Sequence, residues 1–171
     1  MKKVILFLVA FGLVSCGGDK SKKESVDAAN TEVENKYSVE VEGIYEKPDS
    51  LLVCYKIDGY YKYDTPVTQV IKGSPVLQKI VFNIPAGKNI ENVTLIASTN
   101  KEQSTIMVNN VTVKKNDKVV ADGSNYKHSK YFVTDASFSW NEKAQRFNLD
   151  HTKENPPALS GTVELESILS E

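Results

Sequence analysis

Cysteine is nearly absent from this chain: of 171 residues, only Cys16 and Cys54 carry a thiol. Histidine is as scarce, with His128 and His151 alone, and neither has a second histidine or a cysteine at metal-ligand spacing. Arginine occurs once, at Arg146, although the chain carries 21 basic residues and a formal net charge of −1. Bidentate grip on phosphate or guanine is chiefly arginine work, and a nucleic-acid footprint needs a basic face. Both absences argue against a nucleic-acid partner. No Gly-x-Ser-x-Gly elbow and no phosphate-cradling glycine loop is present. Glu40/Glu42 and Glu164/Glu166 are carboxylates two apart on predicted strands. Each pair then shares a face opposite apolar residues, which is the pattern of a solvated surface rather than of paired catalytic acids. Asp117, Asp122 and Asn125 have the oxygen chemistry of calcium ligands, but turn chemistry accounts for them as well. The expectation is a protein that is not an enzyme and holds no cofactor and no metal.

Long apolar runs are also missing, with one exception. Val4–Val14 (VILFLVAFGLV) follows Lys2 and Lys3 and ends at the small Ser15 before Cys16. A bilayer span needs roughly 20 apolar residues, so this run is too short for one and has the size of a secretory h-region. Gly17, Gly18 and the polar, charged stretch 19–35 follow at once, with little to bury, and read as a flexible, disordered tether. Leu13-Val14-Ser15-Cys16 resembles the lipobox of bacterial lipoproteins. That resemblance implies a signal peptide over residues 1–15, cleavage before Cys16, and lipid (diacylglycerol and further acyl chains) on Cys16. Gly17, where an aspartate favours the inner membrane, implies lipid-anchored localisation at the bacterial outer membrane. One acyl chain holds a protein only marginally, while two or more hold it stably. Once residues 1–15 are gone, 19 basic residues stand against 22 acidic ones, and Cys54 has no partner for a disulfide. Cys54 lies in an apolar strand, where a buried and inert thiol is expected.

From Tyr37 onward the apolar period is two. Tyr37, Val39 and Val41 alternate with Ser38, Glu40 and Glu42, as in a half-buried strand. Leu51–Tyr63 (LLVCYKIDGYYKY) reads as a hairpin about Asp58-Gly59, which supplies the positive φ angles of a type I′ turn. Its register sets Tyr60 across from Ile57, Tyr61 across from Lys56 and Tyr63 across from Cys54. Further strands are predicted at Gln78–Ile84, Asn92–Ser98, Ser104–Val113, Val119–Ala121, Asp135–Trp140, Gln145–Asp150 and Thr162–Ile168. The six prolines fall between these runs, where strand physics tolerates them. No window shows a 3.6-residue period. The expectation is an all-β chain: residues 1–15 as signal peptide, 16–36 as lipid anchor and tether, and 37–171 as one antiparallel β-sandwich.

Leu77–Lys115 (LQKIVFNIPAGKNIENVTLIASTNKEQSTIMVNNVTVKK) has a strand ending in Pro-x-Gly, then a strand opening Ile-x-x-Val, then a polar loop. A strand of the form Ile-x-Val-x-Asn-Val-x-Val closes it. This resembles the central strands of galactose-binding-like jelly rolls, the fold of many carbohydrate-binding modules. It implies a jelly-roll-like sandwich and a glycan ligand; immunoglobulin-like sandwiches share the alternation and remain the alternative.

A sugar ring presents an apolar face that stacks on aromatic planes, while its hydroxyls need polar partners. Tyr61 and Tyr63, with Lys56 beside them, and Trp140 at the entry to a predicted turn are therefore the candidate ligand-binding residues. Tyrosines are also favoured strand residues, and a lone tryptophan beside Phe138 packs into many cores. Asn92 and Asn110 head N-glycosylation triplets within strands, and Asp49-Ser50-Leu51 resembles a bacterial O-glycosylation triplet in a predicted loop. Two function classes follow. One is an outer-membrane-anchored, non-catalytic module binding glycan or another envelope polymer. The other is a structural or accessory lipoprotein docking on an envelope protein partner, by an exposed edge or an apolar patch.

Overall fold

A computed structural model describes residues 34–125 and 127–171. The predicted signal peptide, Cys16 and the tether as far as residue 33 lie outside the described residues. The described chain forms twelve strands: β1 (Tyr37–Tyr45), β2 (Asp49–Ile57), β3 (Tyr60–Tyr61), β4 (Val67–Ile71), β5 (Ser74–Ile84), β6 (Asn92–Ile96), β7 (Thr105–Lys115), β8 (Lys118–Asp122), β9 (Phe132–Thr134), β10 (Phe138–Asn141), β11 (Arg146–Leu149) and β12 (Ala158–Gly161). Two short helices, α1 (His128–Tyr131) and α2 (Val163–Leu169), accompany them. The strands make two antiparallel sheets, β10-β11-β7-β1-β5 with β8 also on β7, and β3-β2-β6-β12-β9 with β4 also on β2. The fold is an all-β antiparallel sandwich, as the period-two alternation predicts.

The alternation decides which side of each strand is dry. In β1 every second residue from Tyr37 to Tyr45 is buried. Val39, Val41, Phe82, Ile106, Val111 and Val113 of the first sheet meet Leu51, Val53, Tyr55, Val93, Leu95, Phe132 and Leu159 of the second in one core. Burying side chains of this size stabilises by about 1.5–3 kcal/mol each. The turns follow their residues: Asp58 (φ 53°) with Gly59 (φ 79°), and Asn116 (φ 51°) with Asp117 (φ 64°), close tight hairpins. Asn35 and Lys36, assigned by sequence to the tether, are already hydrogen-bonded to the sandwich, through Gly87 N–H (3.0 Å) and Asn116 N–H (2.8 Å).

Four expectations are corrected. Thr162–Ile168 is not a strand: Thr162 caps α2, its hydroxyl accepting from Leu165 N–H at 3.4 Å, and Leu165 and Leu169 bury one helical face. Glu164 and Glu166 therefore lie on a helix, each in its own ion pair, with Lys130 (2.8 Å) and Lys56 (2.6 Å) respectively. The hairpin partner β3 stops at Tyr61, so Tyr63 is not paired across from Cys54; on the other side of β2, Cys54 pairs with Thr94 of β6. The chain leaves the ladder after Lys62 N–H reaches Tyr55 O (2.9 Å) and re-enters past Pro66, setting Val67 opposite Val53. Asp49-Ser50-Leu51 is the start of β2, not a loop. Asp49 is buried and its carboxylate accepts from Ser98 Oγ (2.6 Å), Thr99 N–H (2.9 Å) and Asn100 N–H (2.9 Å). Asn92 is likewise buried, so it is closed to glycosylation.

Candidate functional site

The two outer faces of the sandwich are chemically unlike. On the first sheet, Glu40 points outward from β1 between Lys79 (2.8 Å) and Lys114 (2.6 Å). Lys114 first, and then Lys79, hold the Glu40 carboxyl below its ordinary value. This is the solvated, ion-paired surface expected of a half-buried sheet.

On the second sheet the outward rows run across strands. Cys54 pairs with Thr94, Thr94 with Ser160, and Ser160 with Val133; Leu52 pairs with Ile96, and Ile96 with Ala158. None of these residues is charged. Cys54 and Thr94 face away from the core by alternation, yet are only 1% and 4% exposed. Tyr61, across from Lys56, lies on this same face, and its phenol reaches the Thr94 side chain. Burial pushes the Tyr61 phenol up, and pushes the Cys54 thiol up as well. The Tyr63 ring sits 5.7 Å from that of Tyr61, tilted by 32°, and is 60% exposed.

Beside Tyr63 the face hollows into a groove of about 540 Å3. Thr94, Ile96, Ala158 and Ser160 make its floor, Tyr63 one wall, and Asp135, Asn155 and Pro156 the other. Asp135 is held rigidly, one carboxylate oxygen accepting from Ser137 N–H (2.8 Å) and the other from Ala158 N–H (3.0 Å). Among the described residues it is the one charged side chain lining the groove. Such a site offers an aromatic plane, hydroxyls, an amide and a carboxylate around an uncharged floor.

Lys56 belongs to a different structure. Its ammonium is bound to Glu166 (2.6 Å) and stands 3.7 Å from Glu91, and Glu166 first of all raises its pKa. Asn92 joins this cluster, its amide donating to Glu166 Oε2 (3.1 Å) and Gly161 O (3.1 Å), and so fastens α2 to the sheet.

Trp140 is not brought together with the tyrosines; it lies in β10 of the opposite sheet. It stacks edge-on against Phe147 (5.1 Å, 67°), which packs in turn on Phe138 (5.5 Å). β11 pairs with β7 only at Thr105–Ile106, and β8 only from Thr112 onward. Between them no strand among the described residues pairs with β7 on that edge, and a pocket of about 290 Å3 opens there, with Trp140 and Phe147 on one side and His128 on the other. A bulge marks the place: Glu42 pairs with Asn110 but Gly43 with Val108, leaving Asn109 extra. Gly43 is required, because a Cβ there would stand 2.6 Å from Met107 O.

Asp135, Asn155, Pro156 and Ser160 of the groove, and His128 and Gln145 of the pocket, carry no sequence motif; only the folded chain gathers them. His151 has a structural partner, its ring nitrogen 3.1 Å from Gln103 O. Among the described residues, no three of histidine, cysteine, aspartate and glutamate are grouped to hold a metal ion. No family model, curated protein or solved structure matches the chain.

Proposed function

We propose that this protein is an outer-membrane lipoprotein, anchored by lipid on Cys16, whose sandwich is a non-catalytic module binding a neutral glycan or similar envelope polymer. The observation that carries the reading is the groove on the second sheet, an uncharged floor beside the exposed ring of Tyr63. Stacking on an aromatic ring contributes about 0.5–1.5 kcal/mol in aromatic pairs, and a sugar face is given the same scale here. The single carboxylate Asp135 and the absence of a lysine or arginine from the lining disfavour polyanionic chains. Electrophoresis of the protein through gels cast with neutral polysaccharides such as mannan, xylan or dextran tests it. One or more should retard the wild type, and Tyr63→Ala should relieve the retardation. Migration unaffected by every polymer contradicts the reading. The anchor is tested separately: Cys16→Ala should move the protein from the membrane to the soluble fraction, and its persistence in salt-washed membranes contradicts lipid attachment.

A specific observation also favours docking on an envelope protein. Val70, Val76 and Leu77 are 78%, 65% and 51% exposed, on β4 and β5. Among the described residues these strands are edges, β4 pairing only with β2 and β5 only with β1. Cross-linking in membranes from a photoreactive residue at position 76 discriminates: a single discrete adduct supports docking, and its absence favours the glycan reading.

A further inference from the structure

The pocket at the interrupted edge of β7 is separate from the groove and has its own chemistry. Its floor is apolar, with Met107, Phe147 and Trp140, and Trp140 remains 47% exposed, so the indole is open to a ligand. Its rim is polar, and among the described residues it carries no formal positive or negative side chain. Gln145 spends its amide N–H on Glu142 O (2.7 Å) and Asn109 directs its own to Glu42 Oε2 (3.4 Å). Each therefore retains a side-chain oxygen that accepts. His128 Nδ1 is shielded from solvent and has no hydrogen-bond partner among the described residues. A buried polar atom left in that state is costly unless something bonds it. Burial also holds the imidazole pKa down, so the ring is neutral near pH 7.

The requirements on a ligand follow. It needs an apolar face for the indole, hydrogen-bond donors for the amide oxygens, and no net charge. At about 290 Å3 the pocket stands at the small end of ligand sites, room for one ring rather than a chain. We propose that this pocket is a second, independent subsite that takes a single neutral, hydroxylated ring, a monosaccharide unit stacked on Trp140 with its hydroxyls on Gln145 and Asn109. A plain aromatic ring meets the first requirement and fails the second. The proposal does not rest on the groove, which lies on the other sheet.

Trp140 is the sole tryptophan, so its emission reports this pocket alone. The full-length protein, in a detergent without a sugar headgroup, is titrated with glucose, galactose, mannose and N-acetylglucosamine. At least one should change the emission saturably, with half-saturation at about 1–10 mM, as weak single-ring binding implies. Gln145→Gly removes the amide while tolerating the positive φ of 51° at that position, and should weaken the response about tenfold. Tyr63→Ala should leave it unchanged, so that the groove and the pocket fail separately. Saturation transfer from protein to sugar protons, measured in Tyr63→Ala protein to silence the groove and abolished there by adding Trp140→Ala, gives a readout that does not depend on the glycine variant folding. No response to any of the four sugars overturns the proposal, as does a response indifferent to both pocket variants. A response to toluene but to none of the sugars also overturns it, marking the pocket as a purely apolar site.

Discussion

The outer faces of the two sheets start from the same period-two pattern and end as different surfaces. On the first sheet the outward residue Glu40 is held between two lysines, as in any solvated face. On the second, the outward residues Cys54 and Thr94 are as dry as the core. The short β3 brings Tyr61 onto that face, where its phenol reaches the Thr94 side chain. Alternation states which residues point outward; it does not state what lies over them. The rows through Cys54, Thr94, Ile96, Ala158 and Ser160 carry no charge, beside the Lys56–Glu166 ion pair and partly roofed by aromatic rings. Such a stretch of sheet face is poorly explained by solubility alone, and that contrast supports assigning the ligand to the groove on the second sheet.

The comparison breaks most severely at the joint between β12 and α2. A Cβ at Gly161 would lie 1.9 Å from Asn92 Oδ1 and 2.8 Å from Val93 O. Gly161→Ala should therefore cost about 2–4 kcal/mol in urea unfolding, through overpacking and loss of the buried amide's bonds. A loss under about 0.5 kcal/mol, the scale of an ordinary surface change, would show that the joint is loose. Next in size, Tyr61→Ala should cost about 1–2 kcal/mol and uncover Cys54. Maleimide labelling of Cys54 in the mature, lipidated protein should then accelerate well beyond the wild-type rate. Tyr63→Ala, removing an exposed ring, should leave stability within about 0.5 kcal/mol and weaken polysaccharide binding about tenfold.

The smallest effect belongs to the charged face. Glu40→Gln should cost about 1 kcal/mol or less and leave glycan binding intact. Its pH dependence has a definite sign. Because Lys114 and Lys79 depress the folded-state pKa of Glu40 below 4.5, the wild-type advantage is fully present above that value. It should shrink as pH falls through the depressed folded value. An advantage that grows on acidification would contradict the ion-paired assignment.

Much of the fold was legible because local chemistry and the sandwich agree. Asp58-Gly59 adopts the two positive φ angles its residues favour, and β1 buries every second residue as its sequence alternates. The failures have physical causes. Val163 and Leu165 alternate like a strand, and seven residues are too few to display a helical period, so α2 was hidden behind its threonine cap. β12, Ala-Leu-Ser-Gly, contains no β-branched residue and owes its place to flanking β6 and β9. The tyrosines and Trp140 stood out in the sequence, but their separation onto opposite sheets did not. The wall formed by Asp135, Asn155 and Pro156 comes from segments joined where Asp135 meets Ala158 at the end of the β9–β12 ladder, a pairing no local pattern announces.

The central claim is that the groove beside Tyr63 on the outer face of the second sheet holds the ligand. Backbone amide shifts of the isotope-labelled protein, followed during titration with whichever neutral polysaccharide retards it in gels, test that most directly. Shifts concentrated at Tyr63, Thr94, Ile96 and Ser160, with Glu40, Lys79 and Lys114 silent, are the predicted result. Shifts confined to Val70, Val76 and Leu77, or to the charged face of the first sheet, would contradict it.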